Sequence, residues 1–350
     1  MRTSPSAARL APLLPDIDDV IVYDAPWMKA TAPRGHADAD RRMIARLRDG
    51  HFDAAVIFTV YSQSPLPAAV ACYLAEIPLR LGHCRENPYQ LLTHWVPEPE
   101  PDLATRHEVQ RQLDLVRSIG FVMEDRRLRL RVPSSANRYV RRKLDRTGLD
   151  PGRPWVVIHP GASAPSRRYP ADGFAAAARA LARDHDWQIV FTGDRSEQPL
   201  VDSIRAAMEA PSHSLAGRLD IAGMAALLQL APVLIVNNTG PAHIAAAVGT
   251  PVVSLYALTN PQHTPWGVPH RLLYHDVPCK FCYKSVCPEA HQNCLRLVAP
   301  ESIVAAAREL LASTRLSATS VSEPLSHSRT CKSRMAASNF LPSPRASRYA

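Results

Sequence analysis

The stretch Val233–Val253, VLIVNNTGPAHIAAAVGTPVV, decides the fold. A short apolar run, Val233–Val236, reads as a buried strand. A polar turn, Asn237-Asn238-Thr239-Gly240, follows it. Pro241 suits the first helical position, where its missing N–H leaves nothing unpaired. The small-sided segment Ala242–Val248 predicts a short helix, and Gly249 is a natural stop. Pro251–Leu255 predicts the next strand. Such a strand–turn–helix–strand unit sets backbone N–H groups and the positive end of a helix dipole at the carboxyl end of a parallel strand. That is where α/β proteins hold phosphate groups. His243 sits in the first turn and should face a ligand there.

The same pattern runs outward in both directions. Upstream, Val20–Tyr23, Ala54–Phe58 and Leu79–Gly82 read as strands. Ala37–Arg48, Leu66–Leu74 and Arg106–Ile119 read as helices. A Gly/Pro/Asp-rich linker, Gly148–Pro154, then opens a second series. Val156–Ile158 and Gln188–Phe191 read as strands, and Phe174–Arg183, Leu200–Met208 and Met224–Leu230 as helices. Strands alternating with helices predict parallel sheet. The expected domains are 1–147, 148–312 and a basic, Ser-rich tail over 313–350. The last 35 residues hold nine Ser, and the tail is expected to be disordered. Two βαβ halves suggest a ligand in a cleft between them.

Composition excludes several classes. At 350 residues and 46% hydrophobic, the chain can bury a large core. Its longest apolar stretch, Met224–Val236, is interrupted by Gln229 and Pro232 and falls short of the ~20 residues of a membrane span. Met1–Pro15 carries Arg2 and Arg9 ahead of any apolar run and does not read as a secretory signal. A cytoplasmic protein is expected. Of the +9 net charge, +4 belongs to residues 316–350. The remaining +5 suits an anionic ligand or membrane surface. No nucleic-acid motif appears, and the basic stretch Arg126–Arg142 reads as a solvated face. No G-x-G-x-x-G follows a strand, which argues against a dinucleotide-dependent oxidoreductase.

Three further segments bear on chemistry. After Ile158, the turn His159-Pro160-Gly161-Ala162-Ser163 is small enough for backbone N–H groups to approach an anion. Arg167 and Arg168 follow it, either as forks for phosphate oxygens or as solvated surface arginines. Glu197 opens a helix after Phe191-Thr192-Gly193-Asp194. It either complements the helix dipole or accepts sugar hydroxyls. The set Cys279-x₂-Cys282-x₄-Cys287-x₆-Cys294 leaves three readings open: a structural zinc with His291 as a substitute ligand, free or redox-active thiols, or an iron–sulfur cluster.

Taken together, these residues resemble glycosyltransferase family 9, the bacterial heptosyltransferases of lipopolysaccharide core synthesis. The resemblance rests on ordered motifs across Ser4–Leu311. They are Asn87-Pro88-Tyr89 with Leu91-Leu92-Thr93, His159-Pro160-Gly161-Ala162, Arg167-Arg168-Tyr169-Pro170, Gly193 with Glu197, Asn238-Thr239-Gly240 with His243, and Thr259-Asn260-Pro261. It implies the GT-B architecture, two Rossmann-like domains facing a cleft. It implies transfer of a sugar, a heptose from ADP-heptose, to a lipid-linked core saccharide at the inner membrane, with no catalytic metal. On that basis Arg167 carries leaving-group charge. Ala162, Ser163, Thr239, Gly240 and His243 line the donor diphosphate, and Glu197 and Asn238 orient the sugar. Asn238 stands where the family usually has Asp. Asn87 falls on the acceptor side. Relative to the family, Thr3-Ser4-Pro5-Ser6 resembles the segment after the second strand. The first domain is thus expected to be incomplete, without the Gly-Asp turn that carries the family's proposed base. The alternative function is a non-catalytic nucleotide-sugar-binding remnant.

Overall fold

The computed structural model describes residues 1–28, 31–98 and 105–320, with side chains as far as Ser313. Eleven strands are present among the described residues: β1 (Arg2–Thr3), β2 (Ile21–Val22), β3 (Ala54–Ile57), β4 (Leu79–Cys84), β5 (His94–Pro97), β6 (Trp155–His159), β7 (Gln188–Phe191), β8 (His213–Ser214), β9 (Leu234–Asn237), β10 (Val252–Leu255) and β11 (His270–Leu273). Every pairing is parallel, as the strand–helix alternation predicted.

The chain forms two compact units, and they divide at Asp125/Arg126 rather than near residue 148. The helix Ser134–Thr147 explains the difference. It buries Val140 and Leu144 against Leu227 and Leu228 of the helix Ile221–Leu230, in the core of the second unit. Its arginines Arg138, Arg141 and Arg142 stay exposed. The basic stretch is therefore a solvated face, but one side of a helix. Arg9–Ile17 also belongs to the second unit, with Leu13 buried in the same cluster.

The first unit comprises Met1–Ala8 and Asp18–Asp125. It carries a two-stranded sheet, β1-β2, and a three-stranded sheet, β3-β4-β5. The helices Asp38–Asp49 and Leu66–Leu74 lie within one residue of their expected spans, and they enclose Ile21, Tyr23, Met43, Leu47 and Ile77. A buried charge network closes the ends of β4 and β5. Arg111, 1% exposed, pairs with Glu98 and Glu108.

The second unit is a complete doubly wound sheet in the order β8-β7-β6-β9-β10-β11. Numbered within the unit, that is 3-2-1-4-5-6, the order of dinucleotide-binding folds. Its central strands are buried from end to end, so they read as unbroken apolar runs. Helices cover both faces, in two apolar clusters. The last helix runs Pro300–Ser320, past the expected start of the tail at 313. The rest of that tail lies outside the described residues. No described helix is long and apolar enough to cross a membrane.

Candidate functional site

In this order of strands, β6 and β9 are neighbours, yet the chain leaves them toward opposite sheet edges. The crevice outside their carboxyl ends is the switch point, where open α/β sheets bind ligands. The expected donor residues lie at this point. The turn 160–163 leaves β6. The turn Asn238-Thr239 leaves β9 and enters the helix Gly240–Val248. That helix starts two residues earlier than expected and ends at Gly249 with φ +90°, where only glycine is unstrained. His243 is exposed in its first turn.

Two asparagines hold the crevice in shape. Asn237, fully buried, donates from Nδ2 to the Pro160 carbonyl at 2.7 Å and accepts from the Tyr169 N–H at 3.1 Å. It thereby ties β9 to the β6 turn and to the arginine turn. Asn238 donates from Nδ2 to the Ala257 carbonyl at 3.1 Å and to Thr259 Oγ1 at 2.9 Å. Both of its amide hydrogens are used within the protein. A carboxylate there would have no hydrogen to offer either acceptor, which is a physical reason for Asn at this position. Asn237 was expected only as part of the polar turn, with no role of its own. Its signal was a polar residue closing an otherwise apolar strand, beside a second Asn.

Glu197 lies across the β6 turn. A Cβ built on Gly161 would stand 1.8 Å from Glu197 Oε1, so any side chain there would displace the carboxylate from its place over the turn. Glu197 Oε2 accepts from the Asp194 N–H at 2.8 Å and lies 3.7 Å from His159 Nε2. Burial pushes the Glu197 carboxyl above its usual range. Burial also depresses His159 to about 4, so its ring is neutral near pH 7 and shares a 3.1 Å hydrogen bond with Thr192 Oγ1. The contact between His159 and Glu197 is therefore not an ion pair at neutral pH. Glu197 is no simple complement to a helix dipole. It is a partly desolvated acceptor held over a bare backbone.

The two arginines differ. Arg167 is half-buried, and its Nη1 donates to the Asn238 carbonyl at 3.3 Å. Its Nε is buried with no hydrogen-bond partner in the protein. Arg168 is exposed and donates from Nε to the Ala162 carbonyl at 2.7 Å, closing the β6 turn. Arg167 thus keeps a donor, Nε, unspent between the β6 and β9 turns, while Arg168 is committed to local structure. Ser163 is exposed and Ala162 is buried at the same turn.

The four cysteines Cys279, Cys282, Cys287 and Cys294 are free and half-buried, and line one cavity with His291, Ser166 and Gln292. Burial, then the proximity of the other three thiols, raises Cys294 above its usual value. Cys279 Sγ is 3.8 Å from His291 Nε2. The donors suit zinc in kind. Among the described residues, however, no group of three or more His, Cys, Asp or Glu is disposed to hold a metal ion. Asn87 is in the first unit, exposed, and accepts from the Tyr89 N–H at 2.9 Å in a tight turn.

A parallel α/β protein with a crevice at its switch point, flanked by Arg167 and Glu197, has the form of the GT-B class. Residues 41–292 match Glycosyltransferase family 9 (heptosyltransferase), and the chain belongs to that family. Among curated proteins it is 27% identical over 171 residues to lipooligosaccharide heptosyltransferase 2 of Campylobacter jejuni, covering 47% of this chain and 53% of that one. The chain spans about half the length of the first curated relatives it matches. Among solved structures, the family 9 glycosyl transferase from Veillonella parvula superposes with a TM-score of 0.70 at 19% identity, over 89% of this chain and 87% of that one. The ADP-heptose lipopolysaccharide heptosyltransferase II of E. coli gives 0.67 at 22% identity, over 90% and 89%. These likenesses show the GT-B fold.

Proposed function

We propose that this chain transfers a sugar, a heptose from ADP-heptose, to a lipid-linked saccharide of the lipopolysaccharide core type. The observation that carries the reading is the glycine floor at Gly161, overlain by the Glu197 carboxylate and flanked by the half-buried Arg167. A diphosphate needs close backbone approach, a helix N-terminus and a fork of N–H donors. The helix beginning at Gly240 and Arg167 supply the last two, and the exposed Ser163 end of the β6 turn is open to the first, since Glu197 already lies over Gly161. A heptose needs hydroxyl acceptors, and Glu197 supplies one.

In the step itself, an acceptor hydroxyl oxygen attacks the anomeric carbon, and the bond from that carbon to the diphosphate oxygen breaks. The hydroxyl proton leaves to a base, and the nucleoside diphosphate departs with the bonding pair. Negative charge grows on the departing oxygen. Arg167, the Ala162-Ser163 turn and the helix beginning at Gly240 are placed to offset it. Glu197 orients the sugar, with Asn238 holding the β9 turn beside it. Asn87 belongs to the acceptor side of this reading, and inversion at the anomeric carbon is expected. The +5 charge outside residues 316–350 is compatible with peripheral attachment to an anionic inner-membrane surface.

The test is incubation of the full chain with ADP-heptose and a lipid-linked core acceptor, following ADP release and acceptor mass. Acceptor gaining one heptose with matching ADP release supports the proposal. ADP-heptose binding without turnover would replace it with a non-catalytic nucleotide-sugar-binding role. No binding would remove both.

A further inference from the structure

We propose that Gln292 and Ser166 are positioning residues for Arg167, and that the cysteine-bearing loop acts on the donor site through them. This rests on the donor-site reading of Arg167. Arg167 ends a single 3-10 turn, Pro165–Arg167. So short a turn has only local bonds to hold it, from the Arg167 N–H to the Ala164 carbonyl and the Arg168 N–H to the Pro165 carbonyl, both at 3.0 Å. Everything else that fixes its carbonyls comes from outside.

Much of that outside support is the cysteine loop. Gln292 Nε2 donates to the Pro165 carbonyl at 2.9 Å and to the Arg168 carbonyl at 3.0 Å. One amide nitrogen therefore grips the turn on both sides of Arg167. From the other direction, Ser166 donates its N–H to the Ser285 carbonyl at 3.1 Å and its Oγ–H to the Lys284 carbonyl at 2.7 Å. Ser166 is buried, and it lines the thiol cavity together with Gln292 and the four cysteines. Residue 166 hangs from the loop and residues 165 and 168 are clamped by it, so the backbone of Arg167 cannot shift without breaking bonds to the loop. The guanidinium in turn reaches the Asn238 carbonyl at 3.3 Å. A displacement of about 1 Å at a group that must meet a reacting atom is enough to matter. Gln292 has φ +51° and caps the helix Asn293–Arg296, so its amide projects from a fixed backbone.

The variants follow from this geometry. Gln292→Glu keeps the shape but replaces the shared donor with a carboxylate facing two carbonyls. Ser166→Ala removes only the bond to Lys284 and keeps the N–H bond to Ser285. Calorimetric titration of ADP into the full chain is the readout, with thermal melting as a control for folding. Wild type should bind ADP, and Arg167→Ala should bind it roughly 10- to 100-fold more weakly. Failure of either of these two results overturns the donor-site reading and this proposal with it. Given both, Gln292→Glu should weaken ADP binding roughly tenfold and Ser166→Ala about threefold. The double variant Arg167→Ala/Gln292→Glu should be no weaker than Arg167→Ala alone, because the clamp acts through the guanidinium. A merely structural lesion would add its penalty in either background. Full ADP affinity in both Gln292→Glu and Ser166→Ala, or an undiminished Gln292→Glu penalty when Arg167 is already absent, overturns the proposal and leaves the donor-site reading standing.

Discussion

The two units close the carboxyl ends of their parallel strands by different means. In the second unit, neutral hydrogen bonds from Asn237 join the β9 turn to the β6 turn, those from Asn238 join it to the residues after β10, and the charged groups Arg167 and Glu197 are left only partly satisfied. In the first, the ends of β4 and β5 are closed by charge itself. Arg111 is spent on Glu98, Glu108 and the Thr59 carbonyl, and its own carbonyl meets His83 Nε2 at 3.1 Å. The end knit by amides leaves Arg167 and Glu197 partly unpaired, whereas the end knit by ion pairs commits Arg111 to its partners. Unpaired charge, rather than the amount of charge, is what favours the second unit for an anionic ligand.

The largest effect should come from the first unit. Arg111→Ala leaves Glu98, whose side chain is 2% exposed, without its main partner. Losing one partner of a buried pair costs about 3–5 kcal/mol. Hydrogen exchange should show early opening of β3, β4 and β5 while β6, β7 and β9 stay protected. Uniform exchange across both units would break the contrast.

Arg167→Ala comes next, with the opposite signature. It removes charge held for a ligand and not for the fold, so kcat should fall about 10²–10³-fold with little change in melting temperature. A large loss of stability with modest loss of rate would place Arg167 among the structural arginines.

His159 gives a pH test of comparable size. Its folded value of about 4 lies below the ordinary 6.5, so the stability it contributes is complete above about 6.5 and is lost as pH falls toward 4. That gap corresponds to roughly 3 kcal/mol. The raised Glu197 carboxyl works in the opposite sense, binding its proton more readily in the folded chain. Urea unfolding of wild type should therefore weaken from pH 7 to pH 4. His159→Gln, which retains a partner for Thr192, should lose most of that slope. An unchanged slope would show that His159 is not held neutral.

The smallest effect sharpens the amide half of the contrast. Asn238→Asp puts a carboxylate beside the Ala257 carbonyl and removes both donors, at a cost of about 1–3 kcal/mol in stability. Equal stability of the two forms would mean that Asn238 is chosen for the ligand and not for the β9 turn.

How far the sequence could be read follows from the same physics. The strands β6, β7, β9 and β10 are apolar because both of their faces are covered, so their runs were visible. The edge strands β8, His213–Ser214, and β11, His270–Leu273, escaped, since an edge strand is short and its residues are only half-buried. The helix Ser134–Thr147 was hidden by its arginines. Ala136, Val140 and Leu144, spaced by four, carried its signal. At the site, the residue types were legible but their partners were not. Gly161 and Glu197 lie in different strand-to-helix turns, and only the fold shows that the carboxylate of one covers the backbone of the other. Gln292 gave no signal, because its role depends on a loop that returns to residues 165 and 168.

Amide hydrogen exchange of the full chain with and without ADP tests most directly whether the switch point of the second unit holds the nucleotide. Protection should concentrate at residues 161–163, 167, 239, 240, 242 and 243, in the turns that follow β6 and β9. Protection instead in the first unit, around Arg111 and His83, or none at the switch point, would contradict it.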